Sequence, residues 1–228
     1  MATYYQKIIK DSTLTDLSVT AIEGTSDSDY YDNIITLDEK SSFVKGDIYY
    51  LKGNNIKEKE SDNSVNPIFL TIYLSSQALR DKQDSSYWQQ IGSYTLLNNQ
   101  PSTFDLVFIP EENDFNEILF HIKRINNIDG NINIDDNKTP RGRILNISSE
   151  NVSCKKYDSN ETIETSISRL GIQGKNESFF VLNNEEPLRI GKNGIFELNT
   201  ADFDGYSLTS VKILNTDSSN KFIIDYQS

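Results

Sequence analysis

Arg169-Leu-Gly-Ile-Gln-Gly-Lys-Asn-Glu-Ser-Phe-Phe-Val-Leu-Asn-Asn-Glu-Glu-Pro-Leu-Arg-Ile-Gly-Lys-Asn-Gly-Ile-Phe-Glu-Leu198 is the stretch whose reading decides the fold. Its four glycines, Gly171, Gly174, Gly191 and Gly194, stand between short apolar runs. Glycine where the chain must turn, with alternating apolar residues between, is the pattern of a small sheet with tight connections. All four are therefore read as turn positions, set by backbone geometry and not by chemistry. Their Gly-x-x-Gly spacings match no phosphate-binding loop, because GxxxxGK[ST] and a strand-then-helix setting are both missing. Asn193-Gly194 is a type I′ hairpin signal.

Working outward, strands are expected at Ile167 to Gln173, Phe179 to Leu182, Leu188 to Ile190, Ile195 to Leu198, Leu208 to Leu214 and Phe222 to Tyr226. The charged, Ser/Thr-rich segment Lys155 to Ser166 lacks an apolar period up to Ile163, and a domain boundary is placed there. Residues 163–228 then form a small β domain for assembly or docking. A unit of this size is marginal alone and is expected to pack on the first domain or on another chain.

Upstream, Gly46 marks a turn before a strand ending at Leu51. In Ile68 to Leu74 both alternating faces are apolar, as in a central strand. Further strands are expected at Tyr87 to Leu97, Thr103 to Ile109, Glu117 to Ile125, Ile144 to Ile147 and Val152 to Tyr157, with Asp129 to Arg143 as a long loop. Tyr4 to Ile9 reads as an edge strand or an arm. Strands at intervals of roughly 10 residues, with no convincing helix between them, indicate a sandwich. The fold class is thus all-β: an antiparallel β-sandwich of jelly-roll type over residues 1–157, including the N-terminal arm, followed by the small C-terminal β domain.

The 12 Tyr and 11 Phe suit pleated surfaces and argue against disorder. A formal net charge of −12 repels phosphate backbones, so no nucleic-acid partner is expected. No run approaches the ~18 apolar residues of a membrane span, and the start of the chain lacks an apolar leader, so synthesis and folding in the cytosol are expected.

No catalytic constellation emerges, and the chain is read as non-enzymatic. His121, the sole histidine, lies mid-strand without a nucleophile signature and reads as structural. Cys154, the sole cysteine, excludes an intramolecular disulfide and reads as a buried small hydrophobe. Asp129-Gly-Asn-Ile-Asn-Ile-Asp135 resembles the front of a calcium loop, but Ile134 stands at its sixth position and Pro140 at its twelfth, which excludes an EF-hand. No metal and no cofactor are expected. Tyr87 and Trp88 are the candidates for stacking on sugar rings, against the alternative that such aromatics are core.

Two resemblances add to this. Phe43-Val-Lys-Gly-Asp-Ile-Tyr-Tyr-Leu51, Ile68 to Leu74, Gln89 to Leu96 and Phe115-Asn-Glu-Ile-Leu-Phe-His-Ile122 resemble a carbohydrate-binding-module-like jelly roll. Ser168 to Gly174, Asn183-Asn-Glu-Glu-Pro-Leu-Arg-Ile-Gly191, Gly194-Ile-Phe-Glu-Leu198 and Phe222-Ile-Ile-Asp-Tyr-Gln227 resemble a C-terminal domain of structural proteins of tailed bacteriophages, which reads "IGIQG-PPG", "INGEEIRIG", "GIYEL" and "FILDYQ". The chain departs from that pattern at Lys175-Asn-Glu177, at Asn184, where the family has glycine, and at Pro187. The resemblance implies a virion component of tail, baseplate, fibre or head decoration, made in the host bacterial cytoplasm. It implies assembly with its own copies and other virion proteins; the first resemblance implies a host-surface glycan as a further partner.

Overall fold

The computed structural model of the chain describes residues 4–9, 13–22, 33–38, 41–57, 67–82, 85–97, 100–128, 131–136, 145–159, 161–174, 176–214 and 222–227. Most of the described residues lie in strands and few in helix, which makes the chain all-β, as its sequence predicts. In chain order the strands begin with β1 (Tyr4–Ile9), β2 (Thr13–Leu17), β3 (Val19–Ile22), β4 (Ile34–Leu37), β5 (Tyr49–Ile56) and β6 (Pro67–Ser75). One helical turn, α1 (Gln77–Arg80), precedes β7 (Gln89–Leu97), β8 (Ser102–Phe108), β9 (Glu117–Ile128), β10 (Asn131–Asp136) and β11 (Val152–Ser159). Then come β12 (Glu161–Ile167), β13 (Arg169–Gly174), β14 (Ser178–Leu182), β15 (Leu188–Ile190), β16 (Ile195–Asn199), β17 (Leu208–Leu214) and β18 (Phe222–Gln227).

The chain divides into two compact units, Asp16–Lys156 and Met1–Thr15 with Tyr157–Ser228. In the first, one sheet runs β3-β4-β9-β6-β7, with β10 also on β9, and the other runs β2-β11-β5-β8. Their facing residues make one core: Leu70, Ile72, Ile118, Phe120 and Ile122 from the first sheet, Leu51, Phe104, Leu106, Phe108 and Cys154 from the second. Phe104 of β8 meets Phe120 of β9 at a ring separation of 6.0 Å and Tyr94 of β7 at 5.3 Å. Gly53 makes room for this packing, because a Cβ there would lie 2.4 Å from the Phe104 ring. The turn at Gly46 is as read: its φ is 81° and Asp47 N–H donates to Val44 O at 3.1 Å, a type II arrangement that favours glycine.

On the other face of the β9 sheet lies a small second cluster. Ile34, Leu119 and Trp88 pack there with Tyr73 and Leu79 of α1. Arg80 of α1 fixes that turn to the sheet by a two-pronged bond to Glu117, Nε to Oε2 at 2.6 Å and a terminal nitrogen to Oε1 at 3.0 Å.

The second unit is also a sandwich, with β1-β18-β13-β16 facing β12-β17-β14-β15. Leu170, Ile172, Phe196 and Leu198 of one sheet pack on Ile163, Phe180, Leu182, Val211 and Ile213 of the other. Phe180 and Phe196 bring the sheets together at 4.6 Å between ring centroids.

Several expectations are corrected. The N-terminal arm, grouped by sequence with residues up to 157, belongs to the second unit, because β1 pairs antiparallel with β18 from Tyr4↔Gln227 to Ile9↔Phe222. Part of the expected loop 129–143 is a strand, β10, paired with the overlong end of β9. The segment 155–166 holds the end of β11 and most of β12, where Ile163 and Ile167 turn inward around a bulge. Residues 145–147 hold one bridge at Leu145 in place of a strand.

Candidate functional site

β13 sits between β18 and β16, and β13 and β16 hold the two ends of the stretch Arg169 to Leu198. Alternation buries Leu170 and Ile172, so Arg169, Gly171 and Gln173 face away from the core. Gly171 pairs with Glu197 on one side and Asp225 on the other; Arg169 pairs with Asn199 and Gln227. The missing side chain at Gly171 leaves a trough, and a groove of about 600 Å³ opens beside it. It is lined by Arg169, Gly171, Glu197, Asn199, Asp202 and Gln227, with Leu170, Leu198 and Tyr226.

Local hydrogen bonds hold the rim. Ser168 N–H donates to Gln227 O at 2.7 Å, and Thr200 N–H donates to Ser168 O at 3.0 Å. Asn199 Oδ1 accepts from Ala201 N–H at 3.3 Å and caps the short helical turn Thr200–Asp202, while its amide donates to Asp202 Oδ1 at 3.3 Å. One guanidinium, two carboxylates and two amides thus border the groove. Such a lining offers directional hydrogen bonding and no nucleophile–base pair. Among the described residues no group of three or more His, Cys, Asp and Glu is placed to hold a metal ion. The calcium-like stretch 129–135 falls partly outside the described residues, and the part inside is strand β10.

The four glycines divide. Gly171 and Gly174 lie within β13 and are strand residues, which corrects their reading as turns: both pair across to β18, and Gly171 also pairs across to β16. Gly191 and Gly194 do bracket a turn, closed by Gly194 N–H donating to Gly191 O at 2.8 Å. Its left-handed residue is Asn193 alone, at φ 55°, so the turn is of the type II class and not type I′. It closes no hairpin either. It carries the chain from β15 in one sheet to β16 in the other. The type I′ turn lies earlier, at Asn183 and Asn184, with φ 49° and 59° and Glu185 N–H donating to Leu182 O at 2.8 Å. Asn183 also ties this turn to β17: its Oδ1 accepts from Thr209 N–H at 2.9 Å and Ser210 N–H at 3.2 Å, and its amide donates to Ser207 O at 2.7 Å. The dipeptide Asn-Asn after an apolar run was the available signal.

A Cβ on Gly194 would meet Gly191 O at 2.8 Å, whereas one on Gly191 meets nothing within 4 Å. Gly194→Ala is therefore expected to destabilise by about 1–3 kcal/mol, the cost of overpacking against rigid neighbours. Gly191→Ala stays within about 0.5 kcal/mol. Urea denaturation of the two variants side by side checks this, and equal midpoints would remove the distinction.

The aromatic pair also divides. Tyr87 is 52% exposed, with Lys82 Nζ 4.4 Å from its ring centroid. Trp88 is only 8% exposed and meets Tyr73 edge-on at 5.6 Å, which corrects its reading as a sugar-stacking residue. His121 is buried mid-strand in β9, its ring 6.3 Å from that of Tyr73. Cys154 is buried, and desolvation pushes its thiol up to about 12, so it stays protonated and packs as a small apolar group.

A second groove, of about 650 Å³, lies in the Asp16–Lys156 unit, lined by Asp16, Ser18, Asp38, Ser41, Ser42 and Lys156 among others. Its charges are largely paired: Lys155 with Asp16 at 2.8 Å, Lys156 with Asp47 at 2.5 Å, and Asp38 with the Thr20 hydroxyl at 2.6 Å. Burial pushes the neighbouring Tyr49 phenol up, and its oxygen accepts from Val44 N–H at 2.9 Å.

Fold and groove together define an all-β protein of two sandwich units with a polar trough on one sheet. No family model matches the chain, and no curated protein matches it. Among solved structures it is similar to the N-terminal CBM22-1–CBM22-2 tandem domain of Paenibacillus barcinonensis Xyn10C, at 12% identity over 98% of this chain and 96% of that one, with a TM-score of 0.21. It is also similar to protein Ylba from E. coli, at 9% identity over 99% of this chain and 83% of that one, with a TM-score of 0.22. Overlap this slight carries nothing over to the present chain. No helix among the described residues is long and apolar enough to cross a membrane.

Proposed function

We propose that this protein is a non-enzymatic structural component of a tailed-bacteriophage virion and that the unit containing β12 to β18 is its assembly domain. One observation carries the reading. The segments that resemble the phage family, far apart in sequence, converge: Phe222-Ile-Ile-Asp-Tyr-Gln227 is β18, Arg169 to Gly174 is β13 and Ile195 to Leu198 lies in β16, three neighbours in one sheet. The fourth segment forms the type I′ turn and β15 of the facing sheet. Asn184, which replaces the family's glycine, has the left-handed φ that glycine and asparagine share. β15 and β16 are edge strands, and Leu188 and Ile195 on them are 42% and 64% exposed. An edge of this kind offers unpaired backbone groups and apolar surface to a neighbouring chain. The partners in this reading are further copies and other virion proteins; the formal net charge of −12 disfavours a nucleic-acid partner.

Mass spectrometry of purified phage particles, with light scattering of the isolated protein, tests the reading. The expected result is a stoichiometric virion protein that is oligomeric in solution. A monomer absent from the particles removes it. The polar groove beside Gly171 favours a second reading, adhesion to a host-surface glycan, because planar amide, guanidinium and carboxylate groups suit sugar hydroxyls. With Trp88 buried, Tyr87 is what remains exposed of the expected stacking pair.

A further inference from the structure

We propose that Asn193 is a site of spontaneous deamidation, through a succinimide formed with Gly194. Asn193-Gly194 is the sole Asn-Gly pair in the sequence. The reaction needs the backbone nitrogen of the following residue to reach the asparagine side-chain carbonyl, and a following glycine leaves that approach open because it has no Cβ. Asn193 is exposed at a turn, and among the described residues its side chain has no hydrogen-bond or ionic partner. Asn183 and Asn184 provide the contrast. They share the left-handed turn conformation, but the Asn183 amide is held by bonds to β17 and its approaches, and residues with side chains follow both.

The chemistry balances without any oxidant or reductant. The Gly194 amide gives up its proton to hydroxide, and its nitrogen bonds to Asn193 Cγ. The Cγ–Nδ2 bond breaks, and Nδ2 leaves as ammonia after taking a proton from water. Water then opens one of the two C–N bonds of the ring. Opening at the side-chain carbonyl leaves aspartate, and opening at the main-chain carbonyl leaves isoaspartate. Each product replaces NH by O and carries one further negative charge beyond the formal −12.

The fold sets the rate. Gly194 N–H is engaged with Gly191 O at 2.8 Å in the native turn, so the nitrogen attacks from the fraction of molecules in which that bond has opened. Isoaspartate adds a methylene to the main chain inside a four-residue turn, and the Gly194-to-Gly191 bond cannot re-form in the same register. The modification therefore acts on the link that carries the chain from one sheet of this unit to the other.

The test incubates the whole protein at pH 8 and at pH 6, followed by isoelectric focusing, peptide mapping and labelling with isoaspartyl methyltransferase. Expected is a species one charge more acidic, growing faster at pH 8, mapping to the peptide that spans 193–194 and labelled by the enzyme. It should form more slowly than in a synthetic peptide of residues 190–198. Asn193→Gly, which keeps the left-handed turn, should abolish it while leaving the circular dichroism spectrum unchanged. Two results overturn the proposal: no acidic species during a period in which the peptide converts fully, or an acidic species that maps elsewhere and persists in Asn193→Gly.

Discussion

Replacing Arg80 by alanine is expected to destabilise the Asp16–Lys156 unit by about 3–5 kcal/mol, the loss seen when one partner of a buried ion pair is removed. The side chains of Arg80 and Glu117 are 13% and 4% exposed. Glu117 begins β9 and pairs with both Thr36 and Ser75, so its carboxylate sits where two neighbouring strands close around it. Without the guanidinium that carboxylate is stranded in a poorly hydrated place, and the sheet must open to relieve it. Arg80→Met with Glu117→Leu removes both charges and should recover most of the loss, because apolar groups of similar volume satisfy the site equally well. Thermal and urea denaturation of the single and double variants decide it. A loss below about 1 kcal/mol for Arg80→Ala would place the pair with ordinary surface ion pairs.

Trp88→Ala should cost a comparable amount, about 3–5 kcal/mol, as do other large-to-small changes at buried aromatics. The indole packs with Ile34, Leu119, Tyr73 and Leu79, and the change leaves a cavity beneath α1. Because Trp88 is the sole tryptophan, its fluorescence reports the event directly: blue-shifted in the native protein and red-shifted on unfolding. Unchanged stability in Trp88→Ala, together with loss of binding to a wall or capsular glycan, would return this residue to the role its sequence context first suggested.

Strands were legible where alternation was strong. Leu188–Ile190 and Leu208–Leu214 have the bounds that their apolar runs predict. β6 is flanked by β7 and β9, as a segment apolar on both faces should be. β10 and β12 escaped because their sequences, Asn-Ile-Asn-Ile-Asp-Asp and Glu-Thr-Ile-Glu-Thr-Ser-Ile, carry turn-forming and charged residues that pairing with a strong neighbour overrides. Trp88 misled for another reason. Alternation places a residue on a face of a sheet but does not say whether something covers that face, and here α1 and Tyr73 do. The groove was half legible: its glycine and flanking motifs stood out, but the apposition of Arg169, Asn199 and Gln227 depends on pairings between segments remote in sequence. The glycines themselves carried an ambiguity, since a missing Cβ serves a turn at Gly194 and a trough at Gly171 equally well.

The pairing of β1 with β18 sets an order of events during synthesis. Tyr4 to Ile9 leaves the ribosome well ahead of its partner, which emerges only after everything between them. The Asp16–Lys156 unit can collapse around its own core while β1 still has no neighbour. Closing so long a loop also makes this pairing one of the slowest to form. The earlier strand of the pair therefore docks late, and loss of Phe222 to Gln227 is felt at Tyr4 to Ile9.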